Sequence, residues 1–342
     1  MTMLTLRSPV FSFRLPLRRV VVNALLAALA ALLIVAGLFG GSYPVSFADF
    51  MAVLNGTTDA VTEMVVLDYR LPRILTALGV GLAFGLAGEM IQTLLRNPLA
   101  SPDIIGFTAG AGTGALFTVA ILGTTAFVVP GAMFGGLGAA LIVIGLSWRR
   151  GIAPGQIVLI GIGITLTLGV IGDLLMTRLD ATSAYELMKW LVGSLHSRSY
   201  ADVQIIWLGL LILAPVAFWH QFILARASLD EPVALGLGIA LNRSRMVTLG
   251  LAVGLVAVAV SAAGPLPFVA FVSGPIAHGL NRASRPTLLS AALVGAIITL
   301  FADMVSQTAL SGMSLPAGVF TALIGAPVLI WVLIIQSRKN RL

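Results

Sequence analysis

The chain contains no cysteine, only two lysines and three histidines, and just 10% charged residues among its 342. Without cysteine there is no disulfide, thiolate metal site or cysteine nucleophile. The only lysines are Lys189 and Lys339. Neither belongs to a G-x-x-x-x-G-K-[ST] loop, so the phosphate cradle needed for that kind of ATP hydrolysis is missing. His196, His220 and His278 share no ligand spacing, and no metal site is expected. No catalytic residue can be assigned, because no nucleophile–base pair is readable. The shortage of charge is the most restrictive absence. A soluble domain carries roughly 25% charged residues, and a chain this poor in charge cannot cover its surface against water.

What is present instead is apolar sequence: 58% of residues are hydrophobic and the mean hydropathy is +1.05. At ~20 apolar residues per membrane-spanning helix, the chain divides into about ten runs. They are residues 20–39, 73–94, 104–122, 126–147, 156–177, 203–221, 246–263, 267–280, 287–308 and 315–336. The expectation is an all-α polytopic membrane protein forming one domain over residues 1–342. A secretory signal competes for the first run, but that run is long and lacks a clear small-residue cleavage site, which favours a span. Most runs are rich in glycine and alanine, which let helices approach closely in lipid.

The net charge of +7 serves topology rather than nucleic-acid binding, since no basic stripe is interleaved with aromatics. With the N-terminus in the cytoplasm, fifteen basic residues fall inside, including Arg96, Arg226, Arg243, Arg245 and Arg285. Only Arg70, Arg73, Arg178, Lys189 and Arg198 fall outside. The positive-inside rule therefore places both termini and residues 1–19 in the cytoplasm.

Three segments interrupt the apolar pattern. LLRNPLASPDIIGFTAGAGTGA (94–115) is a cytoplasmic turn in which Pro98 and Pro102 break helix continuity. ARASLDEPVALGLGIALNRSRM (225–246) is cytoplasmic and too short to span. It reads as a short helix with Asp230 at the N-cap and Pro232 in the first turn, a glycine bend, and a second short helix. Either a solvated loop or a docking helix for a partner fits it. TSAYELMKWLVGSLHSRSYADV (182–203) is external and amphipathic, either lying on the bilayer or lining a vestibule. Glu89, Asp173 and Asp303 fall within or near spans. Burying an acid in lipid is costly, so these residues face wet surroundings or form a proton relay. None has a basic partner three or four residues away.

RLPR (70–73), LLRNPLASPDIIGF (94–107), LGLGI (235–239), GPLPFVAFV (264–272) and LPAGVFTALIGAP (315–327) follow one another in a recognisable order. Together they resemble the permeases of the iron–siderophore and cobalamin ABC importer family over nearly the whole chain. NPLASPDIIGF is most similar to the second permease of catecholate, ferric-enterobactin-type systems.

The resemblance implies a type II ABC importer permease in the bacterial cytoplasmic membrane. Its partners would be a second permease of different sequence, two copies of a cytoplasmic ATPase that binds ATP and magnesium, and a periplasmic or lipid-anchored substrate-binding protein. This chain itself would need no cofactor. The resemblance assigns Arg70 and Arg73 to docking of the binding protein. Leu229, Asp230, Glu231, Ala234, Leu235, Gly236 and Gly238 are assigned to ATPase coupling, and Asn97 and Leu99 to a cytoplasmic gate. It also implies that spans five and ten line the pathway and that WLVGSL lies beside the external mouth. The chain departs from the pattern at Glu89, where small or apolar residues are usual, at GPIAH (274–278) in place of PHIAR, and in the loop 308–314. Cobalamin or haem is the alternative cargo. A proton-coupled carrier using Asp173 or Asp303 is the alternative mechanism.

Overall fold

The computed structural model describes residues 3–7, 12–41, 43–148, 153–283, 286–308 and 315–339. It opens with an antiparallel hairpin of β1 (Met3–Arg7) and β2 (Ser12–Pro16), an exception to the all-helical expectation. The helices that follow are α1 (Leu17–Phe39), α2 (Phe47–Leu54), α3 (Ala60–Glu63), α4 (Leu71–Leu95), α5 (Phe107–Leu122), α6 (Val128–Ser147) and α7 (Pro154–Met176). The remainder are α8 (Ala181–Val192), α9 (Tyr200–Ala227), α10 (Glu231–Gly236), α11 (Leu241–Ala263), α12 (Val269–Asn281), α13 (Leu288–Thr308) and α14 (Ala317–Lys339).

Each of the ten expected runs corresponds to a helix. Among the described residues, eight helices are long and apolar enough to cross a membrane. The other two, α5 and α12, have 16 and 13 residues. At 1.5 Å per residue they reach only about 24 and 20 Å, shorter than a full crossing, and each is preceded by irregular backbone. Residues 96–101 and a 3₁₀ turn at Pro102–Ile105 precede α5, and a non-helical segment from Gly264 through a turn at Pro267–Phe268 precedes α12. Such backbone persists at membrane depth only when protein or a wet cavity surrounds it.

Boundaries shift where polar sequence continues a helix beyond lipid. The sixth span runs to Ala227 rather than residue 221, and the seventh starts at Leu241 rather than 246. The second short helix expected near residue 240 is therefore the first turn of α11.

The core centres on α4, which packs against α13, α11, α9 and α12. The physical basis is the absence of side chains. A methyl group at Gly81 or Gly85 would run into the α13 backbone at Ala291–Ala296, and one at Gly88 would meet the Ala270 carbonyl. Backbone-to-backbone contact of this kind is how helices associate where lipid removes the hydrophobic driving force.

Contacts between distant residues sort the basic groups to two ends. Arg18 donates to Leu280 O at 2.9 Å, and Arg96 and Arg245 meet residues 227–231. At the opposite end, Arg70 meets Leu38, Arg73 meets Asp303, and Arg198 donates to Ala262 O at 3.0 Å. Arg149, Arg150, Arg285, Arg341 and residues 309–314 lie outside the described residues.

Candidate translocation cavity and coupling segment

A cavity of about 850 Å³ runs beside α14. Leu191 and Val192 at the end of α8, together with Leu266, Pro267 and Gly318, line the end away from the arginine-rich side. Phe84, Val256, Ala322 and Leu323 form its middle, and Ser101, Pro102, Asp103 and Thr108 line the other end. Its walls are nearly all apolar, and among the described lining residues Asp103 is the one ionisable group. That carboxylate is occupied by hydroxyls: Ser101 Oγ donates to it at 2.7 Å, and Thr108 Oγ1 donates to its other oxygen.

Span ten, α14, lines this cavity; among the described lining residues none comes from α7, span five. WLVGSL contributes Leu191 and Val192. Gly193 joins two neighbours here: Ser194 N donates to Ala263 O at 2.9 Å, and Gly318 N donates to Gly193 O at 3.1 Å. Asn97 and Leu99 lie in the turn ahead of the lining residues. The Asn97 side chain accepts from Leu99 N at 2.9 Å and shapes that turn. In this turn the cavity wall begins at Ser101, two residues past Leu99.

At the arginine-rich end, α10 projects between α9 and α11. Ala234 is fully buried and anchors it, while Leu229, Val233, Leu235 and Leu237 are exposed apolar side chains. Four exposed large hydrophobics on so short a segment mark an interaction surface. Gly236 has open space around it, and Gly238 adopts φ +74°, a conformation that favours glycine. Asp230 sits at the N-cap position but makes no side-chain capping bond; it lies 3.8 Å from Arg96 instead. Glu231 pairs with Arg245. The hydrogen bond from Arg245 holds the Glu231 carboxyl below its ordinary range.

Arg70 and Arg73, expected on the docking face, both have partners within the chain. Arg70 donates to Leu38 O at 2.6 Å and to Tyr43 O, tying down the chain that leaves α1. Arg73 reaches across to α13 and grips Asp303 at 2.7–3.0 Å through two nitrogens. Gln307 donates to the same carboxylate at 3.0 Å. Asp303 thus has a basic partner after all, 230 residues away in sequence. Asp173 is exposed on α7.

Two departures from the family pattern meet each other. Glu89 is fully buried. Its Oε1 accepts from Thr287 N at 2.7 Å, just ahead of α13, and lies 2.9 Å from His278 Nε2. The other ring nitrogen faces Ala283 O at 2.9 Å. A carboxylate at a helix N-terminus is electrostatically favourable, so Glu89 joins α4, α12 and α13. Neighbouring Gln92 donates to Ala100 O at 3.1 Å and Phe271 O at 2.8 Å.

The model of the FecCD transport family matches residues 27–335. The ferric enterobactin transport system permease protein FepG of Escherichia coli (strain K12) is 35% identical over 94% of this chain and 98% of its own length. The achromobactin transport system permease protein CbrC of Dickeya dadantii (strain 3937) is 33% identical over 92% of this chain and 90% of its own. A solved chain described as an inward-facing conformation of a metal-chelate type ABC transporter superposes with a TM-score of 0.82 at 27% identity. The superposition covers 92% of this chain and 98% of that one.

Proposed function

The chain belongs to the FecCD transport family, and from that premise we propose that it is the membrane-spanning permease subunit of an ABC importer carrying ferric siderophores across the bacterial cytoplasmic membrane. It is a transport component and not an enzyme; ATP and magnesium belong to a partner ATPase. The observation that carries the reading is the apolar cavity running beside α14 from the α8 segment to the Ser101–Thr108 turn. An uncharged wall offers a chelate no complementary charge to bind tightly, which suits passage. Selectivity then rests mainly with the substrate-binding protein.

In this reading the arginine-rich end faces the cytoplasm. Residues 229–239 dock on one of two ATPase copies, and a second permease of different sequence closes the other side of the cavity. The 35% identity to FepG favours a catecholate cargo, and the similar figure for CbrC keeps other ferric siderophores as the alternative. Arg70 and Arg73 serve docking through the helix ends they fix.

The test is uptake of radioactive iron chelates into vesicles holding the assembled complex with its binding protein. ATP-dependent uptake blocked by vanadate and indifferent to an uncoupler supports the reading. Uptake abolished by the uncoupler without ATP would replace it with a proton-coupled carrier.

A further inference from the structure

The last residue before the turn that leads to the cavity wall is Arg96. Its backbone is left-handed, at φ +49° and ψ +34°, an uncommon conformation for a residue with a side chain. Backbone of this kind persists only where surrounding contacts hold it, and those contacts are visible. The guanidinium donates to Leu229 O and, at 3.4 Å, to Ala227 O, and it stands 3.8 Å from the Asp230 carboxylate. The two carbonyls belong to the end of α9 and the start of the coupling segment. A helix end leaves carbonyls without internal partners, and a cation there satisfies both the hydrogen bonds and the dipole. Arg96 supplies that cap from another part of the chain.

On its other side, Arg96 is joined to a braced turn. Asn97 Oδ1 accepts from Leu99 N at 2.9 Å, Ala100 N donates to Asn97 O at 3.0 Å, and Gln92 fixes Ala100 O at 3.1 Å. Ser101, the next residue, lines the cavity. One forked side chain therefore links the surface assigned to the ATPase with the backbone at the cavity's inner end.

We infer that Arg96 is a positioning residue for transport: it makes residues 227–230 and the turn 97–101 move as one body, so that displacement of the coupling segment by the ATPase reaches the cavity. The inference rests on the proposed permease function. Lysine cannot substitute fully, because one ammonium lacks the planar fork that reaches carbonyls and carboxylate together.

Two measurements on the assembled complex test it. In Arg96→Gln, iron chelate moved per ATP hydrolysed falls about tenfold, within the range of ordinary coupling energies, and Arg96→Lys lies between. A purely structural role would lower the yield of complex and leave that ratio unchanged. Because the chain has no cysteine, spin labels at Pro98→Cys and Ser228→Cys, one in each of the two segments and neither a residue whose side chain braces the turn, are unambiguous. Their separation stays fixed between nucleotide-free and ATP-bound complexes when Arg96 is present, and changes with nucleotide in Arg96→Gln. A native ratio in Arg96→Gln, or a label separation that varies equally with and without Arg96, overturns the inference. If the unaltered complex shows no ATP-driven uptake, it is the permease reading that fails.

Discussion

The α4 seam and the coupling segment are held by opposite means. In the most apolar stretches of α4, α11 and α13, 83%, 72% and 67% of residues are buried, against 6–28% for α1, α7, α9 and α14. The seam is made by glycines that bring backbones together and by two buried carboxylates, Glu89 and Asp303. Residues 229–239, by contrast, rest on one buried alanine and two arginines, Arg96 and Arg245, with their leucines exposed. Backbone contact has no second favourable arrangement nearby, so it fixes a frame. A few exposed ion pairs cost little to rearrange, so they suit a part that is pushed.

The largest effect that would break this contrast is expected at Gly88. Gly88→Leu drives a side chain into the Ala270 carbonyl, where no rotamer relieves the clash. Overpacking commonly costs about 1–3 kcal/mol, and backbone is less forgiving than side chain. Purification of Gly88→Leu should give little monodisperse protein. Recovery with native yield and melting temperature would show that the seam is looser than described.

Next is Glu89. Glu89→Ala leaves the partly exposed His278 ring and the Thr287 N–H without their shared oxygen, and leaving a buried donor unsatisfied costs about 1–3 kcal/mol. Glu89→Gln keeps an acceptor and should lose less. Melting in detergent separates the two variants. Equal, native-like curves for both would exclude a structural role for the Glu89–His278 contact.

The frame was largely legible in the sequence and its cross-links were not. Hydropathy located a helix for each of the ten apolar runs, eight of which are long enough to cross among the described residues, because lipid demands long apolar runs whatever the fold. The partners of Glu89 and Asp303 could not be found at helical spacing, because His278 and Arg73 come from other helices, 189 and 230 positions away. Arg96 read as a topology marker, and nothing local indicated that it would reach Leu229. Proline and asparagine mark where the turn is but not which of its residues faces the cavity, so the lining at Ser101–Asp103 could not be read from them.

A smaller effect sharpens the other half of the contrast. Leu235→Asp and Leu237→Asp place charge on the exposed face of the coupling segment, where each apolar anchor is worth about 2 kcal/mol if it is an interface hot spot. Each variant should melt like the parent and copurify with far less ATPase. Undiminished copurification would remove this face from the interface.

The smallest expected effect is at the Glu231–Arg245 pair, which is largely solvent-exposed on the Glu231 side and worth about 0–1 kcal/mol after screening. Arg245 lowers the Glu231 pKa from its ordinary 4.5 through a hydrogen bond and charge. A depressed carboxyl pKa stabilises the paired state above the free value and loses that stabilisation as pH falls through the paired one. Attachment of α10 should therefore be flat across neutral pH and loosen only in acid. Hydrogen exchange of residues 231–237 measures this, with Glu231→Gln showing the acid-state exchange at every pH. A rise in exchange already near neutrality would mean that a group other than this carboxylate holds the segment, and that its tether is not the exposed ion pair on which the contrast with the glycine seam depends.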